Sequence, residues 1–472
     1  MMTTPTATAA RAPTASPAKA GKPFGWRFIS PLLIGSSLNP INSSMIATGL
    51  VAIGLDFHKG PGTTASLISV LYLCSAVMQP TMGKLATIFG ARRIFLTGLT
   101  ILLIAGIIGA AAPAFGFLLL SRALIGVGTS AAYPTAMALV RNRADELKTG
   151  VPGRVLGNFS IASQVTTVIG LPLGGVLAVA FGWRAIFFIN VPLALITLVF
   201  TFFGVAKDAP AAREGHDSLF TTLDIPGIIL FAGTITSLLL FLSSLAAPTW
   251  WLLPAAVAAG TALTVWERRT RRPLIDIRML GRNKQLLRTY LRQSIVSLGI
   301  YTALYGTSQW MEGAAHYTAS QVGLILLPLS AISIIVARLV SGRGWVRWPL
   351  ILTGAAFVLT GTVMVFTTHS SNVLILLGIS VLFGFANGFS GFANQAALYI
   401  QSPPDEIAVA SGLYRTFAYF GAIFSSSLIG IAFGSAATDK GFHIVACVIG
   451  GIGVTVLLMT ILDRKIPART GT

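Results

Sequence analysis

Charge is scarce in this chain. Only 10% of its 472 residues are Asp, Glu, Lys or Arg, and only 14 of those are acidic. A soluble globular domain carries roughly 25% charged residues, so that class is excluded. Cysteine is almost absent: Cys74 and Cys447 each lie inside an apolar run. They read as plain buried thiols rather than as a disulfide or a metal site. The five histidines, His58, His216, His316, His369 and His443, fall in or beside loops without clustering. No glycine-rich phosphate loop ending in Gly-Lys-Ser/Thr occurs, which leaves ATP-driven transport unsupported. Neither a catalytic group, a metal nor a cofactor is expected, and the chain does not read as an enzyme.

Apolar residues fill the space that charge leaves. They make up 54% of the chain, with a mean hydropathy of +0.79, and runs of ~20 residues recur along the whole length. The expectation is an all-α polytopic membrane protein with fourteen spans. Its formal charge of +19 would suggest nucleic acid in a soluble protein. Here 28 of the 33 Lys and Arg fall on one side of the membrane, three on the other, and two, Arg122 and Arg415, inside spans. That bias places the basic loops and both termini in the cytoplasm and makes anionic lipid head groups a partner. The short loops alternate cleanly: Arg92/Arg93, Arg141/Arg143/Lys148 and Arg338/Arg343/Arg347 share one side, while Ala111–Gly116, Ala246–Pro248 and Thr368–Asn372 on the other have no basic residue.

The stretch Gly83 to Arg93, G-K-L-A-T-I-F-G-A-R-R, lies between the second and third apolar runs. Gly83 permits close helix approach, Gly90 gives the freedom a tight turn needs, and Arg92 and Arg93 hold the loop at the cytoplasmic face. It resembles the loop signature of the major facilitator superfamily, G-x-L-a-D-r-x-G-r-r, with Thr87 where that family has Asp. A weaker echo follows at Arg338–Arg347, with Leu339, Ser341, Gly344 and Arg347 over Leu85, Thr87, Gly90 and Arg93. Repeated halves are the sign of a transporter built from two related bundles.

The resemblance implies a major facilitator fold of two six-helix bundles plus two inserted helices, as in the fourteen-span drug–proton antiporters. The expected organisation is a cytoplasmic tail at 1–26, rich in Thr, Ala and Pro, and an N-terminal bundle at 27–206. Then come a linker at 207–288 with the inserted spans 7 and 8 and a basic connector, a C-terminal bundle at 289–463 and a tail at 464–472. The connector, Glu267 to Arg292, carries nine Lys or Arg and reads as an interfacial segment on lipid phosphates.

Arg122 stands in the fourth span within L-S-R-A-L-I-G-V-G, where a charge costs roughly 2.5–3.5 kcal/mol. It resembles the family's span-4 arginine, which is tied to proton movement. The fifth span carries G-L-P-L-G-G: Gly170 and Gly174 form a flat helix face, Pro172 favours a bend, and Gly175 follows. It resembles the antiporter signature G-P-x-x-G-G with the proline displaced by one position; G-W-R-A-I-F-F-I-N-V-P, Gly182 to Pro192, is likewise similar to fourteen-span exporters. These residues, with Gly83, Gly90, Arg92 and Arg93, are the expected gating elements. In span 1, Asn42 occupies a position where the family commonly has an ionisable Asp, so it can hydrogen-bond but cannot carry a proton. By the resemblance, spans 1, 4, 9 and 12 line a central cavity. Their substrate candidates are Asn39, Asn42, Tyr133, Tyr301, Tyr305, Gln309, Asn387, Asn394 and Gln395, which suit an amphiphilic organic compound. Helix–helix hydrogen bonding is the competing role for such amides.

None of the acids falls in mid-span. Glu312 closes span 9 at the outer rim, about 30 Å along the helix from Arg292 at 1.5 Å per residue. It is the candidate for proton collection, with Arg122 as its competitor. The expected function is secondary active export of lipophilic or amphiphilic compounds by proton antiport, in a monomer. The alternatives are an exporter of one metabolite, lipid or antibiotic, and a membrane enzyme or sensor without transport.

Overall fold

The computed structural model describes residues 24–208, 223–245, 248–270, 273–434 and 436–470. Most of the 1–26 tail therefore lies outside the described residues, as does much of the segment linking the first bundle to span 7. Among the described residues the chain forms seventeen α-helices and one short 3-10 turn, with no strand. The first bundle holds α1 (Trp26–Asp56), α2 (Pro61–Phe89), α3 (Ala91–Ala110), α4 (Phe115–Ser130), α5 (Ala132–Glu146), α6 (Gly153–Phe181), α7 (Arg184–Phe188) and α8 (Asn190–Gly204). A pair follows, α9 (Ile225–Ser243) and α10 (Leu252–Arg269), then the short α11 (Ile277–Arg282). The second bundle holds α12 (Lys284–Gly313), α13 (Ala319–Arg343), α14 (Arg347–Val365), α15 (Val373–Gln401), α16 (Ile407–Phe433) and α17 (Asp439–Leu462).

Two apolar runs are each interrupted once. Pro134 and Pro192 stand just inside α5 and α8 and cannot donate to the preceding turn, so α4 ends before α5 and α7 before α8. Among the described residues, ten helices or such helix pairs are long and apolar enough to cross a membrane by length and composition. Lipid-facing side chains are bare: Val179 is 90% exposed and Phe203 82%. An aqueous protein would bury such residues; here the acyl chains cover them.

Within the first bundle α1 packs on α6 and α8, α2 on α4, and α3 on α4 and α8. Within the second, α12 packs on α16, α13 on α15, and α14 on α17. The bundles meet where α2 and α5 pack on α16 and where α6 packs on α13. The pair α9–α10 packs on itself, with α9 resting against both α2 and α16 along their seam.

The Gly83–Arg93 stretch is not an extended loop: α2 runs through Phe89, α3 starts at Ala91, and only Gly90 lies outside a helix, as the turn between them. Gly90 turns the chain at φ +98°, a conformation that strains any side chain. Asp208 then caps α3: its carboxylate oxygens accept from the backbone N–H of Arg92 at 3.0 Å and of Arg93 at 2.9 Å. A carboxylate at a helix N-terminus meets the positive end of the dipole. Thr87, where the family has Asp, only donates back to Lys84 O at 2.8 Å. The echo in the second bundle turns at Gly344, φ +65°, where Thr470 N donates to Gly344 O at 2.8 Å.

One boundary differs from the sequence reading. The basic connector does not run to Arg292. The Asn283 side chain accepts from Leu286 N at 3.1 Å and starts α12 at Lys284, so Arg288 and Arg292 fall on its first turns. Arg292 is fully buried in the second bundle.

Candidate functional site

Polar side chains gather in two clusters, one in each bundle, and the seam between the bundles joins them. In the first cluster Asn39 on α1 donates to Ser75 Oγ at 2.9 Å and Thr129 Oγ1 at 2.8 Å. Its own Oδ1 accepts from Tyr419 of α16 at 2.8 Å, a bond across the seam. Gln79 Nε2 donates to the same Tyr419 hydroxyl at 3.0 Å. One turn along α1, Asn42 donates to Asn190 Oδ1 at 2.6 Å and to Leu38 O at 2.8 Å. Arg122 lies beneath: its Nε donates to Leu67 O at 3.0 Å and its Nη1 to Asn42 O at 3.2 Å. A guanidinium thus sits in the bundle on backbone carbonyl dipoles, without a carboxylate.

The second cluster is centred on Arg292. Its Nε donates to Asn394 Oδ1 at 2.7 Å and its Nη2 to Thr289 Oγ1 at 3.0 Å. Asn394 Nδ2 and the Tyr414 hydroxyl both donate to Gln293 Oε1, at 3.2 and 2.7 Å. Thr289 passes the chain on to Gln401 Oε1 at 2.6 Å. Five residues from α12, α15 and α16 therefore surround one buried cation, two of them bonded to it directly, and the nearby Asp463 carboxylate makes no hydrogen bond to it.

Three further contacts cross the seam. The Arg415 guanidinium carbon stands 4.0 Å from the centroid of the Tyr133 ring. Gln395 Nε2 reaches Met137 Sδ at 3.9 Å. Tyr419 also packs on Tyr72 of α2, with centroids 5.5 Å apart. Tyr301 and Tyr305, one turn apart on α12, stack at 5.7 Å, and Tyr305 is 41% exposed.

The structure thus brings Asn39, Tyr133, Tyr301, Tyr305 and Gln395 to or beside the seam, whereas Asn42 lies inside the first bundle and Asn394 inside the second. Asn42 and Asn394 are 1% and 0% exposed and spend their amides on Asn190 and on Arg292. Asn387 is partly buried on α15, and Gln309 and Glu312 are exposed near the far end of α12. No ion pair joins Glu312 to Arg122 among the described residues. Sequence reasoning missed Tyr72, Gln79, Asn190, Arg292, Gln293, Tyr414 and Tyr419. Asn190 stands in the quoted G-W-R-A-I-F-F-I-N-V-P, and its bond to Asn42 gives that motif a structural role.

Glycines set how closely the elements approach. A Cβ on Gly83 would lie 2.5 Å from Ala408 O of α16, and one on Gly412 would lie 2.5 Å from Gln79 O of α2. Those two positions let α2 and α16 touch across the seam. Gly174 plays that part inside the first bundle, 2.6 Å from Met45 O, and Gly170 does so against Ser44. Pro172 lies within α6 between them, and nothing lies within 4 Å of a Cβ on Gly175. Arg92 stacks on Phe202 at 5.5 Å, with Nη2 donating to Phe202 O at 3.3 Å.

The comparisons with known proteins agree with this architecture. Residues 32–426 match the family model described as the Major Facilitator Superfamily. The chain is 33% identical over 444 residues to the uncharacterized MFS-type transporter YwoD of Bacillus subtilis strain 168, covering 92% of this chain and 96% of that one. It is 28% identical over 414 residues to the multidrug resistance protein Stp of Mycobacterium tuberculosis strain CDC 1551, covering 85% and 72% respectively. The solved structure of the proton:xylose symporter XylE superposes with a TM-score of 0.64 at 14% identity, covering 94% of this chain and 96% of that one. Signature loop, two packed bundles, family match and close relative converge: this chain belongs to the major facilitator superfamily and is a membrane transporter rather than an enzyme.

Proposed function

We propose that this transporter exports amphiphilic organic compounds through the seam between its bundles, with a proton moving inward in exchange. One observation carries the reading. The bundles close on each other near the basic loops, through Gly83 on Ala408, Gly412 on Gln79, and Arg338 Nη1 donating to Asn158 Oδ1 at 3.3 Å. With those loops in the cytoplasm, as the positive-inside bias argues, this is the state an exporter occupies after release outward. Alternating access then requires the α2–α16 and α6–α13 contacts to part. The aromatic and amide character of the seam suits a flat, partly apolar substrate. The multidrug resistance name of Stp supports export as the direction.

The proposed topology has fourteen crossings and both termini inside, with α9 and α10 as the inserted pair. Glu312 is the proposed proton collector, because it is exposed at the outer rim. Anionic lipids are the proposed annular partner. A cavity of about 850 Å³ at the basic face is lined by Arg278, Arg282, Lys284 and Lys465, with Asp276 and the Asp463-paired Arg288 beside them, and this net positive lining supports phosphate head groups there.

The test is efflux from liposomes containing only this protein. Substrate should leave faster when an inward pH gradient is imposed, and a panel of unrelated compounds separates broad from narrow specificity. Liposomes whose efflux ignores the gradient would remove the proton, and liposomes without efflux would remove the exporter.

A further inference from the structure

Charge in the membrane interior has one sign. Two arginines lie inside spans, Arg122 on α4 and Arg415 on α16, and a third, Arg292, is buried near the basic end of α12, whereas no Asp or Glu of the sequence falls in mid-span. The acids nearest the bundle sit at its edges: Asp224, Glu267 and the buried Asp463, which pairs with Arg288, at the basic face, and Glu312 at the opposite rim.

Each of the three keeps one buried N–H without a partner: Arg122 Nη2, Arg292 Nη1 and Arg415 Nε. The hydrogen-bond acceptors of Arg122 and Arg292 are all neutral, being carbonyls, an amide and a hydroxyl, and the Asp463 carboxylate acts on Arg292 only without a direct bond. A buried cation held only by dipoles is costly, and a counter-ion that enters the site removes that cost. Arg122 and Arg292 are walled off at 1% and 0% exposure. Arg415 is partly open, at the contact of α5 with α16. It stands on the face of Tyr133, in the electrostatic reach of Tyr301 and Tyr419. Tyr414, its neighbour in sequence, is bonded through Gln293 and Asn394 to Arg292.

We propose that the transported compound is an organic anion, an aromatic carboxylate or sulfonate, whose charged group is bound by Arg415 while its rings lie among the seam tyrosines. The inference rests on the exporter reading and deepens it. A guanidinium presents a planar fork of donors that matches a carboxylate, and the stack on Tyr133 holds that fork in place. Arg292 adds positive potential from behind in a medium of low dielectric. The missing membrane acid then follows from the cargo. An Asp at position 42 would set a carboxylate beside Arg122 and repel an anionic substrate; Asn42 meets Arg122 only through its backbone carbonyl and brings no negative charge. An inside-negative membrane also drives an anion outward without any carboxylate in the path.

The experiment compares two ligands with the same ring system, 9-anthracenecarboxylate and 9-anthracenemethylammonium. Each is titrated against the purified full-length protein in nanodiscs of phosphatidylcholine. The carboxylate should bind at least about tenfold tighter. Arg415→Gln should abolish that preference, and Arg415→Lys, which keeps the charge but not the stacked fork, should keep only part of it. Absence of carboxylate binding, or equal or tighter binding of the ammonium, overturns the proposal. An unchanged preference in Arg415→Gln overturns the assignment of Arg415. Should that variant fail to fold, the wild-type pair and Arg415→Lys still decide. Efflux of both compounds from liposomes separates the two readings. Export without anion preference leaves the exporter standing and removes the anion; Arg415-dependent anion binding without export does the reverse.

Discussion

Arg292 Nε donates to Asn394 Oδ1 at 2.7 Å, so the most buried cation of the second bundle leans on an uncharged amide. Removing the acceptor strands the guanidinium. Asn394→Leu should destabilise the protein by about 3–5 kcal/mol, the usual effect of breaking a buried charged contact from one side. Arg292→Met alone should cost less, and the double variant less than the sum, because the leucine no longer faces a charge. Thermal unfolding in detergent measures all three. Strict additivity would mean that the two side chains do not act as a unit.

Two glycine sites separate motion from assembly. Gly412→Leu would drive a side chain into Gln79 and Pro80 backbone across the seam, and Gly174→Leu would drive one into α1 inside the first bundle. Both variants should reach the membrane yet lose transport, since overpacking at these crossings displaces whole helices. Quantitative blots report the first outcome and liposome efflux the second. Normal efflux by Gly174→Leu would reduce the span-5 glycines to a coincidence of packing.

Glu267 lies beyond the span read as 249–266, at the basic face, and ties the inserted pair to the rest. Its Oε1 accepts from Ile275 N at 3.3 Å, while the neighbouring Asp224 accepts from Trp266 Nε1 at 2.7 Å and Leu274 N at 2.9 Å. Burial, and then the Asp224 carboxylate beside it, push the Glu267 carboxyl up to about 8. A folded pKa above the unfolded one means that the folded state binds the proton more tightly. The stabilisation is therefore complete below the ordinary glutamate range and is lost as pH rises toward 8. Glu267→Gln should flatten that dependence and raise the unfolding midpoint at pH 8 relative to wild type. A slope unchanged in the variant would exclude Glu267 as its source.

Glu312 is exposed at the far end of α12, with no ion pair to Arg122. Glu312→Gln should keep substrate binding and exchange while losing acceleration by a pH gradient. Counterflow of labelled substrate measures the former and gradient-driven efflux the latter. If gradient-driven efflux survives, Glu312 is a rim residue and the proton travels by another route.

Hydropathy and the bias of Lys and Arg decide that this chain lives in a membrane, because acyl chains and lipid phosphates act on composition alone. Two glycines of the Gly83–Arg93 stretch are equally legible: a positive φ at Gly90 and close packing at Gly83 demand glycine whatever surrounds them, though the helix on either side of Gly90 is longer than the sequence indicates. Which polar residues meet was not legible. An apolar helix in lipid shows little periodicity, so the sequence does not say which face turns toward a neighbour. Arg292 looked like the end of a basic connector until Asn283 began α12 early and turned that arginine inward. Asn42 looked free to hold substrate, yet Asn190, 148 residues away, takes its amide. The tyrosines of α2, α12 and α16 share no motif, and only the packing of α2 against α16 brings Tyr72 to Tyr419. Long-range contacts of this kind are set by how whole helices seat on each other, which glycine spacing permits and tertiary structure alone decides.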